Sequence, residues 1–128
     1  MTDDTRKVLA RLASEAINTK NVALLDEHPG FWETRQIFPH LFIGFPDAHD
    51  TVEQQTIDGE WVTTRTTLRA THTGPFMGLS PSGKSITMLT ISLDQVIDGK
   101  VAEHFGVADW ASALSTMGLI PPPPSEPK

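Results

Sequence analysis

The chain has 128 residues, 38% of them hydrophobic, and a formal net charge of −6, which suits one globular domain and argues against a nucleic-acid partner. It has no cysteine, which excludes a disulfide, a thiolate nucleophile and a cysteine zinc site. No run approaches the ~18 apolar residues that span a bilayer, and the acidic start MTDD is unlike a secretory signal. These features favour a soluble cytoplasmic protein without a membrane partner.

The first half of the sequence predicts helices. Apolar residues recur at helical spacing up to a stop at residues 18–21: Val8, Leu9, Leu12, Ala16 and Ile17. VALLDEH (22–28) predicts a short second helix that ends before Pro29. Residues 31–45 place four phenylalanines on one helical stripe, and Pro39 within it predicts a kink or two short helices.

The second half predicts strands over VEQQTI (52–57), WVTTRTTLRATHT (61–73), SITMLTISLDQVI (85–97) and KVAEHFGVAD (100–109). Asp-Gly dipeptides at 58–59 and 98–99 predict hairpins, and WASALSTMG (110–118) predicts a final helix. PPPPSEPK (121–128) predicts a disordered proline-rich tail, which leaves residues 1–120 as a single domain. Helices followed by a strand meander predict an α+β fold, with a curved, mainly antiparallel sheet forming a cone around a pocket.

The alternation in the last two strands predicts which face of the sheet is buried. Their odd positions carry most of the apolar residues: Leu89, Ile91, Leu93, Ile97, Val101, Phe105 and Val107. We expect these positions to pair with one another and to face the core. A two-residue turn would pair odd with even positions, so a three-residue turn with Gly99 in the left-handed conformation is predicted.

That assignment places Gln95, Glu103 and Asp109 on the inner face. Glu103 and Asp109 are six residues apart, roughly 20 Å along a strand, so they cannot act as one carboxylate pair. Glu103 is explained by a hydrogen bond to Gln95 near the sheet edge. Asp109 is either the N-cap of the final helix or a pocket carboxylate with a raised pKa.

His72 lies on the more apolar face of the second strand, with Val62, Leu68 and Ala70. It is either a core histidine bonded to the backbone or a functional group at the lip of the long turn that follows. The five histidines show no tight spacing, so no metal site is predicted.

Several segments together resemble the SnoaL-like polyketide cyclases of the nuclear-transport-factor-like superfamily. They are FPD (45–47), RTTLRATHTG (65–74), the G-x-x-P-x-G-K turn (78–84), DGKVAEHF (98–105) and VAD (107–109). The resemblance implies an α+β cone, a homodimer or dimer-based oligomer, and a cofactor-free intramolecular aldol condensation. It implies Asp109 as the acid/base group, with His72 orienting substrate or polarising a carbonyl. The sequence departs from the family pattern at Gln95, Phe105 and Gly106.

The predicted function is therefore a cofactor-independent and metal-independent acid/base enzyme acting on a hydrophobic, carbonyl-bearing small molecule. Asp109 and His72 are the predicted catalytic residues. The predicted substrate-binding residues are Trp32, Leu89, Ile91, Gln95, Phe105 and Val107. The alternatives are an isomerase, epoxide hydrolase or cofactor-free oxygenase on the same fold, or a non-catalytic binding module.

Overall fold

The computed structural model describes residues 1–122 and residue 124, and the rest of the predicted tail lies outside the described residues. Helices α1 (Asp3–Ala10), α2 (Leu12–Thr19) and α3 (Thr34–Gly44) come first, with short 3₁₀ helices at Val22–Leu25 and Pro29–Phe31. Strands β1 (His49–Asp58), β2 (Trp61–Thr71), β3 (Ser85–Ile97) and β4 (Lys100–Ala108) follow, and α4 (Trp110–Thr116) comes last. The predicted α+β class is confirmed.

The helical half follows the sequence signals with two differences. Lys20 adopts a left-handed conformation, with φ of 55°, and ends α2 where the stop was predicted. The segment predicted as a second helix forms a 3₁₀ turn. Pro39 lies inside α3, which continues through it as one helix, so the alternative of two short helices is wrong.

The four strands form one antiparallel sheet in the order β1-β2-β3-β4. The β3–β4 hairpin corrects the predicted turn. Ile97 pairs directly with Lys100 around a two-residue turn in which Asp98 and Gly99 have φ of 50° and 78°. A bulge at Ala102 supplies the extra residue instead. The predicted pairing of odd with odd positions is therefore confirmed from Gln95–Glu103 onwards, whereas between the bulge and the turn Val96 pairs with Val101.

The predicted inner face of β3 is wrong, and so is that of β4 beyond its bulge, whereas Val101 faces inward as predicted. β2 turns its even residues inward, and Leu68 pairs with Met88, so the even residues of β3 also face inward. Leu89, Ile91 and Leu93 are instead 44%, 39% and 40% exposed on the outer face. The even positions of β3 could stay polar because a cavity, rather than a packed core, covers the middle of the strand.

Two apolar clusters pack against the concave face and leave a gap between them. Along β2, Val62 belongs to the cluster around Phe31, and Leu68 belongs to the cluster around Phe45. The inward residues between Val62 and Leu68 are Thr64 and Thr66, which belong to neither cluster. The sheet is therefore apolar at both ends and polar in the middle.

Over the described residues, no helix has the length and apolarity to cross a membrane.

Candidate functional site in the central cavity

The central cavity lies over this polar middle of the sheet and has a volume of about 850 Å³. Its floor carries hydroxyl groups from β2 and β3, namely those of Thr64, Thr66, Thr90 and Ser92. Trp32 and Ile37 line it from the helical side and are 63% and 45% exposed, which places them where it opens to solvent. This size, with a mixed apolar and hydroxyl lining, suits a small organic ligand.

An aspartate–histidine pair lies at one end of the cavity. His104 on β4 is the direct partner of Asp94 on β3, and His104 Nδ1 lies 2.5 Å from Asp94 Oδ1. His104 lines the cavity, whereas Asp94 is fully buried behind it. The imidazole is therefore held in place by a carboxyl group that solvent does not reach.

Local structure explains why His104 points inward. The bulge at Ala102 shifts the alternation of β4, so Val101 and His104 both face the concave side. Phe31 packs against the imidazole, with ring centroids 4.9 Å apart. Gly30 allows this approach, because a Cβ there would lie 2.8 Å from the main chain of Glu103.

Burial of Asp94 disfavours the charged form of its carboxyl group. Burial raises the pKa of Asp94, although the hydrogen bond and charge of His104 oppose that rise. Asp94 Oδ2 is buried and has no hydrogen-bond partner among the described residues, so a bare carboxylate here is costly. When Nδ1–H donates to the carboxylate, the Nε2 lone pair is left available.

A second polar group lies at another corner of the cavity. Asp50 on β1 is 7% exposed, lines the cavity and accepts a hydrogen bond from Ser14 Oγ at 2.6 Å. Burial raises the pKa of its carboxyl group, in spite of the opposing hydrogen bond from Ser14. The described lining of the cavity therefore contains three titratable residues, namely His104, Asp50 and the exposed Glu33.

Asp109 lies outside the cavity lining and caps α4. Its carboxylate accepts from the Ser112 backbone N–H at 3.1 Å and from the Ser112 hydroxyl at 2.7 Å. These bonds lower the pKa of Asp109, so the predicted raised pKa is wrong, because the group is exposed and hydrogen-bonded instead of desolvated. The capping interpretation of Asp109 is confirmed.

His72 is fully buried at the far end of β2 and does not line the cavity. Its Nδ1 accepts the Ser82 backbone N–H at 3.0 Å, and its ring stacks on Phe45 with centroids 5.2 Å apart. The interpretation as a core histidine bonded to the backbone is confirmed. Nε2 is buried without a partner among the described residues.

The predicted substrate-binding residues are divided between the two faces of the sheet. Trp32 lines the cavity. Ile91, Phe105 and Val107 contribute to the lining, but they belong to the outward set of the pleat, with side chains 39%, 57% and 72% exposed. Leu89 and Gln95 lie outside the cavity lining. Gln95 Nε2 donates a hydrogen bond to Glu60, whereas the predicted partner of Gln95 was Glu103.

Sequence reasoning missed His104, Asp94 and Asp50. The face of β3 that carries Asp94 follows only from the pairing of Val62 and Leu68 with β3, which the sequence alone does not give. Over the described part of the chain, no three His, Asp or Glu side chains cluster as metal ligands do.

The fold and the cavity define a class, the α+β cones that hold a small molecule between a curved sheet and N-terminal helices. The sequence profile of the SnoaL-like polyketide cyclases matches residues 2–116, and the chain belongs to this family. No curated protein matches the sequence significantly.

Solved structures agree with the family assignment. AclR of Streptomyces galilaeus, described as a proposed hydroxylase, is 25% identical with a TM-score of 0.85, over 96% of this chain and 87% of AclR. IdmH of Streptomyces antibioticus, described as a proposed polyketide cyclase, is 25% identical with a TM-score of 0.73, over 88% of this chain and 98% of IdmH. TsrD of Streptomyces laurentii is 19% identical with a TM-score of 0.84, over 94% and 99% of the two chains, and supports the fold alone.

Proposed function

We propose that this protein is a cofactor-independent acid/base enzyme that closes a ring in a hydrophobic, carbonyl-bearing substrate by intramolecular aldol condensation. The observation that carries the proposal is the His104–Asp94 pair at 2.5 Å, with the imidazole inside the cavity. Membership of the cyclase family and the similarity to IdmH support the reaction class.

His104 Nε2 is the proton-transferring atom in this proposal. It removes a proton from a carbon flanked by two carbonyl groups, which leaves an enolate and an imidazolium. The enolate carbon attacks a second carbonyl carbon of the same molecule, forming a carbon–carbon bond and an alkoxide. The imidazolium returns its proton to the alkoxide, so no proton, electron or cofactor is consumed. Asp94 is a positioning residue that holds Nδ1 and stabilises the imidazolium.

The cavity contributes by folding the substrate. Its walls are apolar at both ends, so a flexible chain excluded from water is held with its reacting carbons close together. The hydroxyl groups of the floor, including those of Thr90 and Ser92, can donate to oxygens that become negative during the reaction.

The family resemblance assigns the acid/base role to Asp109 instead, and paired variants separate the two assignments. His104→Gln keeps a hydrogen-bonding side chain but removes the base. Asp109→Asn keeps the helix cap and removes that carboxylate. A panel of aromatic polyketides, screened by mass spectrometry for ring closure, supplies the substrate for both variants.

We expect His104→Gln to lose about 10²–10⁴-fold in turnover and Asp109→Asn to keep it. The reverse result would return the role to Asp109. Full turnover in both variants would leave a non-catalytic binding module as the better explanation. His72→Gln serves as a third variant, because the resemblance also gives His72 a role in orienting the substrate.

A second candidate reaction is a cofactor-free hydroxylation, favoured by the similarity to AclR, the proposed hydroxylase. The same base would generate the same enolate, which would react with dioxygen and a proton to give a hydroperoxide on that carbon. Loss of water from the hydroperoxide then leaves a carbonyl, whose enol form carries the new hydroxyl, so one oxygen atom enters the product, the other leaves as water, and no external reductant is needed. An oxygen electrode separates the two reactions, since aldol closure consumes no dioxygen and hydroxylation consumes it in proportion to product.

A further inference from the structure

Asp50, Ser14 and Thr66 form a polar group that the proposed chemistry does not use. All three line the central cavity and are 7%, 7% and 5% exposed. They come from β1, α2 and β2, so the fold brings together side chains that are distant in the sequence.

Hydrogen bonds hold both the main chain and the side chain of Asp50 in place. Asn18 clamps its main chain, with Nδ2 donating to Asp50 O at 2.8 Å and Asp50 N donating to Asn18 Oδ1 at 2.7 Å. Ser14 Oγ donates to Asp50 Oδ2 at 2.6 Å. The carboxyl group is thus held with little rotational freedom, which is the preorganisation that a binding group needs.

Two polar atoms of this group are left without partners. Asp50 Oδ1 makes no hydrogen bond with any described residue, and Asp50 faces the cavity. Thr66 Oγ1 lies near that carboxyl group, is buried and has no partner within hydrogen-bonding geometry among the described residues. Buried polar atoms are rarely left unpaired, so the unpaired Thr66 Oγ1, together with the free Asp50 oxygen in the same cavity wall, indicates a place for a ligand.

The group is far from the His104–Asp94 pair. Asp50 pairs with Leu68, whereas Asp94 pairs with Val62, and these two β2 residues are six positions apart. At ~3.3 Å per residue, six positions correspond to roughly 20 Å along a flat strand, which the curvature of the sheet shortens. Asp50 and His104 also lie on opposite edge strands, β1 and β4.

We propose that Asp50, Ser14 and Thr66 form a second binding subsite, which holds a hydroxyl group of an elongated ligand whose reacting end lies near His104. The ligand hydroxyl would donate to Asp50 Oδ1 and accept from Thr66 Oγ1, which satisfies both unpaired atoms. Burial of Asp50 raises the cost of its negative charge, so an anionic ligand group does not fit this corner. This inference deepens the proposed function, since it rests on the cavity being the ligand site.

The test compares two probes that differ by one hydroxyl group. Estrone carries a phenol and a ketone at opposite ends of an apolar ring system, and 3-deoxyestrone lacks the phenol oxygen. Affinities are measured by calorimetry or fluorescence with the wild type and with Thr66→Val, which keeps the side-chain shape. Thr67→Val is the matched control, because Thr67 lies next in sequence on the opposite face of β2.

We expect the wild type to bind estrone about tenfold more tightly than 3-deoxyestrone, the value of roughly one good hydrogen bond. Thr66→Val should bring the two affinities together, whereas Thr67→Val should keep the difference. Without ligand, Thr66→Val should keep or raise Tm, because it removes a buried hydroxyl that has no partner. A purely structural role of Thr66 would instead lower Tm and leave the ratio of affinities unchanged.

Any of three results would overturn the subsite proposal: equal affinities of the wild type for the two probes, an affinity ratio that persists in Thr66→Val, or no binding of either probe up to its solubility limit. The His104→Gln variant separates this result from the proposed reaction. Its preference for estrone should be unchanged even where its turnover is lost. If instead His104→Gln keeps full turnover while Thr66→Val loses the preference, the subsite stands and the assignment of the base fails.

Discussion

Gly106 leaves space beside Nε2 of His104, the nitrogen proposed to transfer the proton. The two residues lie two positions apart on β4, and a Cβ at position 106 would lie 3.1 Å from His104 Nε2. That distance is too short for a substrate atom to share the space, so the absence of a side chain keeps Nε2 accessible from the cavity.

Gly106→Ala should therefore impair turnover while the protein stays folded. The main chain of Gly106 does not have the positive φ that favours glycine, so alanine is tolerated in the strand. We expect kcat/KM to fall at least tenfold with little change in Tm, measured by steady-state kinetics and thermal unfolding. Gly30→Ala is the contrasting variant, because its Cβ would meet the main chain of Glu103 at 2.8 Å and should lower Tm. An unchanged kcat/KM in Gly106→Ala would show that Nε2 is not the reacting atom.

Asp50→Asn should alter the pH dependence of stability in a defined direction. The folded-state pKa of Asp50 is raised, so the native state binds the proton more tightly than the unfolded chain does. The contribution of Asp50 is therefore fully present below its unfolded pKa and is lost as the pH rises through the folded pKa. We expect the stability of Asp50→Asn relative to the wild type to increase from acid to neutral pH, measured by urea unfolding.

Asp47 should show the opposite pH dependence of stability, and its variant serves as the control. The Thr71 backbone N–H and hydroxyl donate to its carboxylate, both at 2.7 Å, and lower the pKa of Asp47. Its contribution is present above the unfolded pKa and is lost as the pH falls through the folded one. Asp47→Asn should thus lose stability mainly at neutral pH, and the same pH trend in both variants would contradict these assignments.

Much of the fold was predictable because local signals agree with it. β3 occupies residues 85–97, as its alternating pattern and flanking turns predict, and α4 begins after its Asp109 cap. The buried face of β3 was not predictable from apolar content alone, because Thr90 and Ser92 face a cavity that tolerates polar side chains and Asp94 is buried against His104. Only the register of β3 against β2 determines which face of β3 is buried.

The candidate site was less predictable than the fold for a related reason. His104 and Asp94 become partners only because the bulge at Ala102 changes the alternation within β4. No sequence signal at Ala102 predicts a bulge, and without the bulge His104 would be assigned to the face opposite Val101.

The segment around His72 has a distinctive sequence because its turn packs closely. A Cβ at Gly74 would overlap the main-chain oxygen of Ile43.

Asp109→Ala should lower Tm, whereas Asp109→Asn should not. The Asp109 carboxylate accepts two hydrogen bonds from Ser112 at the start of α4, and asparagine can replace it as a cap while alanine cannot. Thermal unfolding at neutral pH checks this. Asp26→Ala, which removes an exposed ion pair with Arg35, is the control and should change Tm little. Equal Tm values for both Asp109 variants would show that the cap contributes nothing measurable.

The outer apolar strip of the sheet predicts a dimer. The strip consists of Trp61, Leu89, Ile91, Leu93, Phe105 and Val107, and the rings of Trp61 and Phe105 stack with centroids 6.5 Å apart. Ile91 pairs with Val107 and Leu93 with Phe105, so these side chains form one continuous surface. A contiguous apolar surface of this kind is unusual on a monomer, so we expect a second copy of the chain to cover it.

Leu89→Glu tests the strip, because Leu89 is 44% exposed within it and does not line the cavity. We expect the wild type to sediment as a dimer at tens of micromolar and Leu89→Glu to sediment as a monomer, since two carboxylates would be buried at the interface. Val8→Glu is the matched control, because Val8 is an exposed apolar residue, 49% accessible, on α1 rather than on the sheet, and this variant should stay dimeric. A monomeric wild type, or a dimeric Leu89→Glu, would rule out pairing through this strip.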